Sequence, residues 1–133
     1  MNYEDLIHQR NTTNIFAKFL GIETVAMDEG YAKAVMVVNE NLFNSNGTVH
    51  GGALFSLADI VSGSAANSRE DKVATLDATV HYLASGFNIE KIIGEAKEVK
   101  KGRTIRIYDV QLFDDNEKLL LKGLFSYFVL QSN

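Results

Sequence analysis

The order of apolar patterns along the chain predicts an α+β protein in which an antiparallel sheet packs against one long central helix. Three observations carry this. Only one long stretch, about 51–68, holds a single apolar stripe at helical spacing. From residue 73 onward the period changes to two, and three further strand-like stretches follow at 89–100, 103–113 and 118–130. The helix and the strands are therefore segregated rather than alternating, which favours an antiparallel sheet over a doubly wound parallel one.

Each element has its own signal. Tyr3, Leu6, Ile7 and Arg10, then Ile15, Phe16, Phe19 and Leu20, lie at helical spacing on either side of Asn11-Thr12-Thr13-Asn14. That polar cluster suits caps, and Gly21 suits the residue after a helix end, so short helices are expected over about 2–20. Residues 22–28 and 31–38 flank Asp28-Glu29-Gly30 and read as a hairpin. In its second strand Val35 and Val37 alternate with Ala34, Met36 and Val38, which predicts two buried faces. Leu54, Leu57, Ala58, Val61 and Ala65 form the stripe of the long helix. Gly63, Ser64, Ala65 and Ala66 are small enough for a sheet to wrap it closely. After it, Leu76, Ala78, Val80 and Tyr82 alternate with Thr75, Asp77, Thr79 and His81. Gly102 and Asp114-Asp115-Asn116 separate the later strands. Proline is absent, so Gly, Asn and Asp must make the turns.

Composition narrows the function. The 133 residues suit one domain over 1–133, and 46% apolar with 23% charged residues is the balance of an ordinary globule. Thirteen Lys and Arg against seventeen Asp and Glu give a net charge of -4. That argues against nucleic acid as a partner, because phosphate neutralisation supplies most such affinity. With no Cys there are no disulfides, zinc ribbons or thiol nucleophiles, and three His leave little material for a metal site. No apolar run approaches the ~18 residues of a membrane span, and Met1-Asn2-Tyr3-Glu4-Asp5 is unlike a secretory signal. The expectation is a soluble, cytoplasmic protein without metal or membrane partner.

The densest chemistry lies in Asn44-Ser45-Asn46-Gly47-Thr48-Val49-His50-Gly51-Gly52, which runs into the long helix. Gly51 and Gly52 sit where the helix begins, so their amides belong to the unpaired N–H groups of a helix start. Lacking side chains, they let a ligand oxygen approach, and the helix dipole favours negative charge there. Asn44 adds an amide donor. Asp59 is a carboxylate amid Leu57, Ala58, Ile60 and Val61, a costly place for a charge without a partner. Oxyanion donors with a base or nucleophile are what acyl transfer to water requires. A Gly-Gly also serves simply as a turn, and a lone Asp as part of a solvated helix face. His50 reads as ordering its loop, since no nucleophile elbow stands beside it. Neither G-x-S-x-G nor a phosphate-binding glycine loop occurs.

Asn44-x-x-Gly47-x-x-His50-Gly51-Gly52, followed by Leu57-Ala58-Asp59 and Ala65-Ala66-Asn67, resembles the signature of PaaI-type hotdog-fold acyl-CoA thioesterases. The resemblance implies a curved antiparallel sheet wrapped around one helix, with subunits paired into homodimers that often pair again into tetramers. It implies hydrolysis of an acyl-CoA thioester to a free acid and coenzyme A, with no cofactor. By position, Asp59 matches the carboxylate that activates water or attacks the thioester. Gly51 matches the oxyanion amide, with Asn44 as companion and His50 and Gly52 beside it. Thr75 stands two residues before Asp77, where relatives carry a Ser or Thr that helps to place the water. The aromatic-Leu-Arg-Pro-like step of relatives is replaced by Tyr82-Leu83-Ala84-Ser85-Gly86, so a nucleotide contact there is not carried over. A non-catalytic hotdog module that senses acyl-CoA is the alternative. The conjunction of Asn44, Gly51, Asp59 and Thr75, and the lack of a preceding DNA-binding segment, favour the enzyme.

Two further expectations concern coenzyme and assembly. Lys97, Lys100, Lys101, Arg103 and Arg106 crowd the hairpin at Gly102 in an otherwise acidic chain. Such cations suit coenzyme A phosphates, with Lys101 and Arg103 nearest the turn, although charged residues also protect sheet edges. Asp59 lies eight residues beyond Gly51, which is ~12 Å along a helix axis at 1.5 Å per residue. Side chains lean towards the helix N-terminus too little to close that gap over one carbonyl. A homodimer with shared sites is therefore expected.

Overall fold

The computed structural model describes residues 1–133. Two short helices, α1 (Tyr3–Thr13) and α2 (Ile15–Leu20), precede the strands β1 (Ile22–Asp28) and β2 (Tyr31–Val37). A 3₁₀ turn at Glu40–Leu42 leads to α3 (Gly51–Ala66), and β3 (Lys72–Tyr82), β4 (Lys91–Lys101), β5 (Ile105–Asp114) and β6 (Leu119–Gln131) follow. All six strands join one antiparallel sheet in the order β1-β2-β4-β5-β6-β3. The caps form where the Asn residues stand: Asn2 accepts from the Asp5 amide at 2.8 Å and Asn14 from the Ala17 amide at 3.0 Å. Gly21 ends α2 in the left-handed region at φ 73. Asn11 does something else: its carboxamide exchanges two hydrogen bonds with the backbone of Thr24, at 2.8 and 2.9 Å. This ties the edge strand β1 to α1 at Thr24.

The sheet wraps α3. Leu57, Ala58, Val61 and Ala65 are fully buried and Leu54 nearly so. Eleven of the sixteen residues of α3 are buried; of the other five, Gly52, Ser56 and Asp59 form one open stripe, with Gly51 and Phe55 beside it. The buried Ser64 hydroxyl is satisfied by Thr24 Oγ1 at 2.8 Å and by Nε of Arg10 at 3.1 Å.

Three expectations need correction. The long helix ends at Ala66, because Asn67 closes it and the chain turns at once towards β3. β2 has one buried face, made by Ala32, Ala34 and Met36. Its Val35 is half-buried and Val37 exposed, since nothing packs on that side. β3 is no uniform alternation either. Its register with β6 skips between Thr75 and Asp77, a bulge at Leu76. Ala78 and Val80 pack on the core, and simple alternation from them would turn Thr75 away from α3. The bulge turns it inward.

Candidate active site

The start of α3 is organised locally. Asn44 Oδ1 accepts from the amides of Asn46 and Thr48 at 2.9 and 3.1 Å, and its Nδ2 donates to Thr48 Oγ1 at 2.9 Å. Thus Asn44 builds the 44–48 turn, with no hydrogen bond to Gly51. His50 is the N-cap: its Nδ1 accepts from the Gly52 amide at 2.8 Å. Gly52 is accordingly not a free donor, which corrects the expectation of two unpaired glycine amides. The Gly51 amide makes no hydrogen bond within the chain, and its carbonyl accepts from the Tyr82 hydroxyl at 3.1 Å. A Cβ on Gly51 would meet the Tyr82 ring at 3.4 Å. Beside this end lies a largely apolar recess of about 270 Å³, walled by Phe16, Leu20, Leu42, Phe43 and Ala53.

Two turns further on, Asp59 is held by distant parts of the chain. Thr75 Oγ1 donates to Asp59 Oδ1 at 2.8 Å, and the Tyr127 hydroxyl donates to the same oxygen at 2.9 Å. Asp59 Oδ2 takes part in no hydrogen bond. The surrounding recess of about 190 Å³ is lined by Arg10, Asn14, Gly63, Val73, Thr75 and Tyr127, among others. Arg10 donates from a terminal nitrogen to the Ile60 carbonyl at 3.3 Å. Its guanidinium faces Tyr127 and Asp59, and burial pulls it below the usual arginine range against their opposing effect. Burial, then the charge of Asp59, pushes the Tyr127 phenol well above its usual range, so it stays a donor. This recess and the one at the helix start share no residue.

The structure thus brings Asp59 and Thr75 together and, separately, His50, Gly51 and Gly52. Tyr127 and Arg10 also belong to the Asp59 recess, and the sequence pattern does not single them out. Arg10 reads only as one more residue of a short helix, and nothing near Tyr127 in the chain points to residue 59. Lys101 and Arg103 are exposed at the β4–β5 turn, where Gly102 is obligatory because a Cβ would lie 2.3 Å from the Ile105 carbonyl oxygen. Arg106 leaves the basic cluster: it is buried, ion-paired with Asp71, and donates to the Gly102 carbonyl. The turn lies beside residues 128–129 of β6, which pair on their other side with Ala74 and Val73. It therefore occupies the same end of the sheet as Thr75. No three His, Asp or Glu side chains converge in a way that could hold a metal ion. No helix is long and apolar enough to cross a membrane.

The thioesterase superfamily profile matches residues 46–121, over half of the chain, including Gly51, Asp59 and Thr75. Escherichia coli acyl-coenzyme A thioesterase PaaI is 32% identical over 111 residues, covering 84% of this chain and 79% of that protein. This chain belongs to the thioesterase superfamily. It is a PaaI-type hotdog thioesterase, a thioester hydrolase by family. The structure of Escherichia coli PaaI superposes with a TM-score of 0.87 at 27% identity, covering 96% of this chain and 98% of that one. A hypothetical thioesterase protein of Streptococcus pneumoniae solved with coenzyme A gives 0.84 at 26% identity, with 98% of each chain covered. That pneumococcal protein has also been solved with an Asp→Ala and with a Thr→Ala replacement, sixteen positions apart.

Proposed function

We propose that this thioesterase hydrolyses acyl-CoA to a carboxylic acid and coenzyme A, with Asp59 as the reacting carboxylate and the Gly51 amide as oxyanion donor. The observation that carries this is the state of Asp59: it stands on the open stripe of an otherwise buried helix, with one oxygen clamped by two hydroxyls and the other free. Asp59 Oδ2 takes a proton from water as the water oxygen attacks the thioester carbonyl. The carbonyl oxygen becomes an oxyanion facing the Gly51 N–H at the positive end of α3. Collapse breaks the C–S bond, and the proton held by Asp59 passes to the departing thiolate. Thr75 spends its proton on Asp59, which leaves its lone pairs to accept from that water. The sixteen-residue separation of Asp59 and Thr75 equals that of the two residues replaced in the pneumococcal protein, which supports the pairing.

The two groups come from two chains. Roughly 12 Å of helix separates Gly51 from Asp59, and the recess on which Asp59 opens does not reach Gly51. β1 is tied to α1 at Thr24 by Asn11, whereas β3 is an eleven-residue edge strand with exposed Leu76 and Tyr82. Such an edge calls for a partner strand. A second copy paired there in two-fold fashion presents its Asp59 to this chain's Gly51, giving two equivalent sites. Lys101 and Arg103, at the Thr75 end of the sheet, receive the coenzyme phosphates.

The test is thiol release from a panel running from acetyl-CoA through hexanoyl-CoA and decanoyl-CoA to benzoyl-CoA, with Asp59→Asn as control. Thiol release by wild type and its collapse in the variant are expected. Equal release by both proteins would remove Asp59 from the reaction.

A further inference from the structure

Tyr127 and Thr75 are directly opposite one another on β6 and β3. This one cross-strand pair delivers two hydroxyls to the same carboxylate oxygen, Oδ1 of Asp59, at 2.9 and 2.8 Å. The bulge that follows Thr75 lets both members of the pair face α3. Tyr127 is 3% exposed and its ring packs edge-on against Tyr108, centroids 6.0 Å apart, so substrate cannot reach the ring. The hydroxyl alone meets the site. It has one proton and three acceptor neighbours: Asp59 Oδ1, the Asp59 carbonyl at 2.7 Å, and Ser62 Oγ at 2.8 Å. Ser62 in turn reaches the Ala58 carbonyl at 2.8 Å, one turn back along α3. Of the three acceptors only the carboxylate is charged, and charge-assisted bonds are about twice as strong as neutral ones.

We propose that Tyr127 is a positioning residue of the hydrolytic reaction, which with Thr75 saturates Oδ1 of Asp59 and so dictates that Oδ2 is the oxygen that takes the proton from water. The inference rests on Asp59 being the reacting carboxylate. A carboxylate held by one donor can swing about its terminal torsion, which is broad and intrinsically soft. Held by two converging donors, it presents one oxygen in one direction.

The experiment compares wild type, Tyr127→Phe, Ser62→Ala, Asp59→Asn and the Asp59→Asn/Tyr127→Phe double variant, with hexanoyl-CoA and benzoyl-CoA as probes. Tyr127→Phe keeps the buried ring and removes only the hydroxyl. It is expected to lower kcat roughly tenfold with KM within about twofold, the pattern of a group acting on the chemical step alone. Ser62→Ala removes the other side-chain partner of the phenol and is expected to leave kcat within about twofold. In the Asp59→Asn background, Tyr127→Phe should produce no further loss, because its effect runs through that carboxylate. Wild-type kcat in Tyr127→Phe, a change in KM alone, or a variant that no longer folds would overturn the positioning role. So would an equal kcat loss in Ser62→Ala, or a tenfold loss that persists without the carboxylate. Unimpaired hydrolysis by Asp59→Asn alone would instead strike the catalytic assignment, and it is read without Tyr127.

Discussion

The two functional turns of α3 are built in opposite ways. At the helix start the cap and the turn are short-range: His50 caps the amide two residues on, and Asn44 folds the turn back on Thr48 four residues on, with Tyr82 reaching only the Gly51 carbonyl from afar. At Asp59 the contacts reach 16 and 68 residues along the chain, to Thr75 and Tyr127. The first turn presents a neutral donor beside an apolar recess, the second a charged acceptor in a polar one. A locally built donor is set once the loop and helix form. A carboxylate clamped by two strands is set only when the whole sheet has closed, including the bulge in β3. In the proposed mechanism the chemical burden falls on the second.

That contrast orders the expected losses. Asp59→Asn should cut kcat by roughly 10²–10⁴ while circular dichroism stays native, the range usual for a lost general base. A loss smaller than that at Gly51 would invert the contrast. Gly51→Val, which presses a branched side chain towards Tyr82 and the oxyanion approach, should cost about 10²–10³ in kcat. Its far-ultraviolet spectrum must match wild type before the kinetics count. Away from both turns, reversing Lys101 and Arg103 to Glu should raise KM for acyl-CoA about tenfold and fall off with salt, since the charges are exposed. An acyl-pantetheine substrate, which lacks the nucleotide, should be nearly indifferent, and equal effects on the two would detach the hairpin from the coenzyme. The smallest effect is expected at His50. His50→Ala removes a helix cap and should cost about 1 kcal/mol of stability in denaturant titration, with His50→Asn restoring most of it. A kcat loss as large as that of Gly51→Val would give His50 a chemical part.

What could be read from the sequence follows the same division. The fold class, the α3 stripe through Leu54, Leu57, Ala58, Val61 and Ala65, and the caps at Asn14 and Gly21 all depend on neighbours within a few residues, and all are where the pattern puts them. So is the glycine helix start. The identity of the free amide was legible only in part, because spacing does not reveal that the His50 ring occupies the Gly52 N–H. Thr75 was reached through the family resemblance; alternation from Ala78 and Val80 faces it the wrong way, and bulges carry no period of their own. Tyr127 left no trace, since its partner lies across the sheet. Arg106 was misplaced for a related reason: a count of basic residues near Gly102 cannot tell an exposed cation from one buried against Asp71.

If Gly51 of one chain and Asp59 of another complete one site, as proposed, subunit exchange between two inactive variants must restore hydrolysis. Inactive Asp59→Asn and inactive Gly51→Val proteins are mixed under conditions where exchange is proven by a tagged subunit, and thiol release from acyl-CoA is followed. Each hybrid dimer then holds one site with both lesions and one intact site. Random exchange should therefore restore roughly a quarter of wild-type activity, half of the dimers being hybrids with one working site each. A mixture that stays inactive despite complete exchange, or wild-type turnover by a protein that sediments as a monomer, would contradict the shared site.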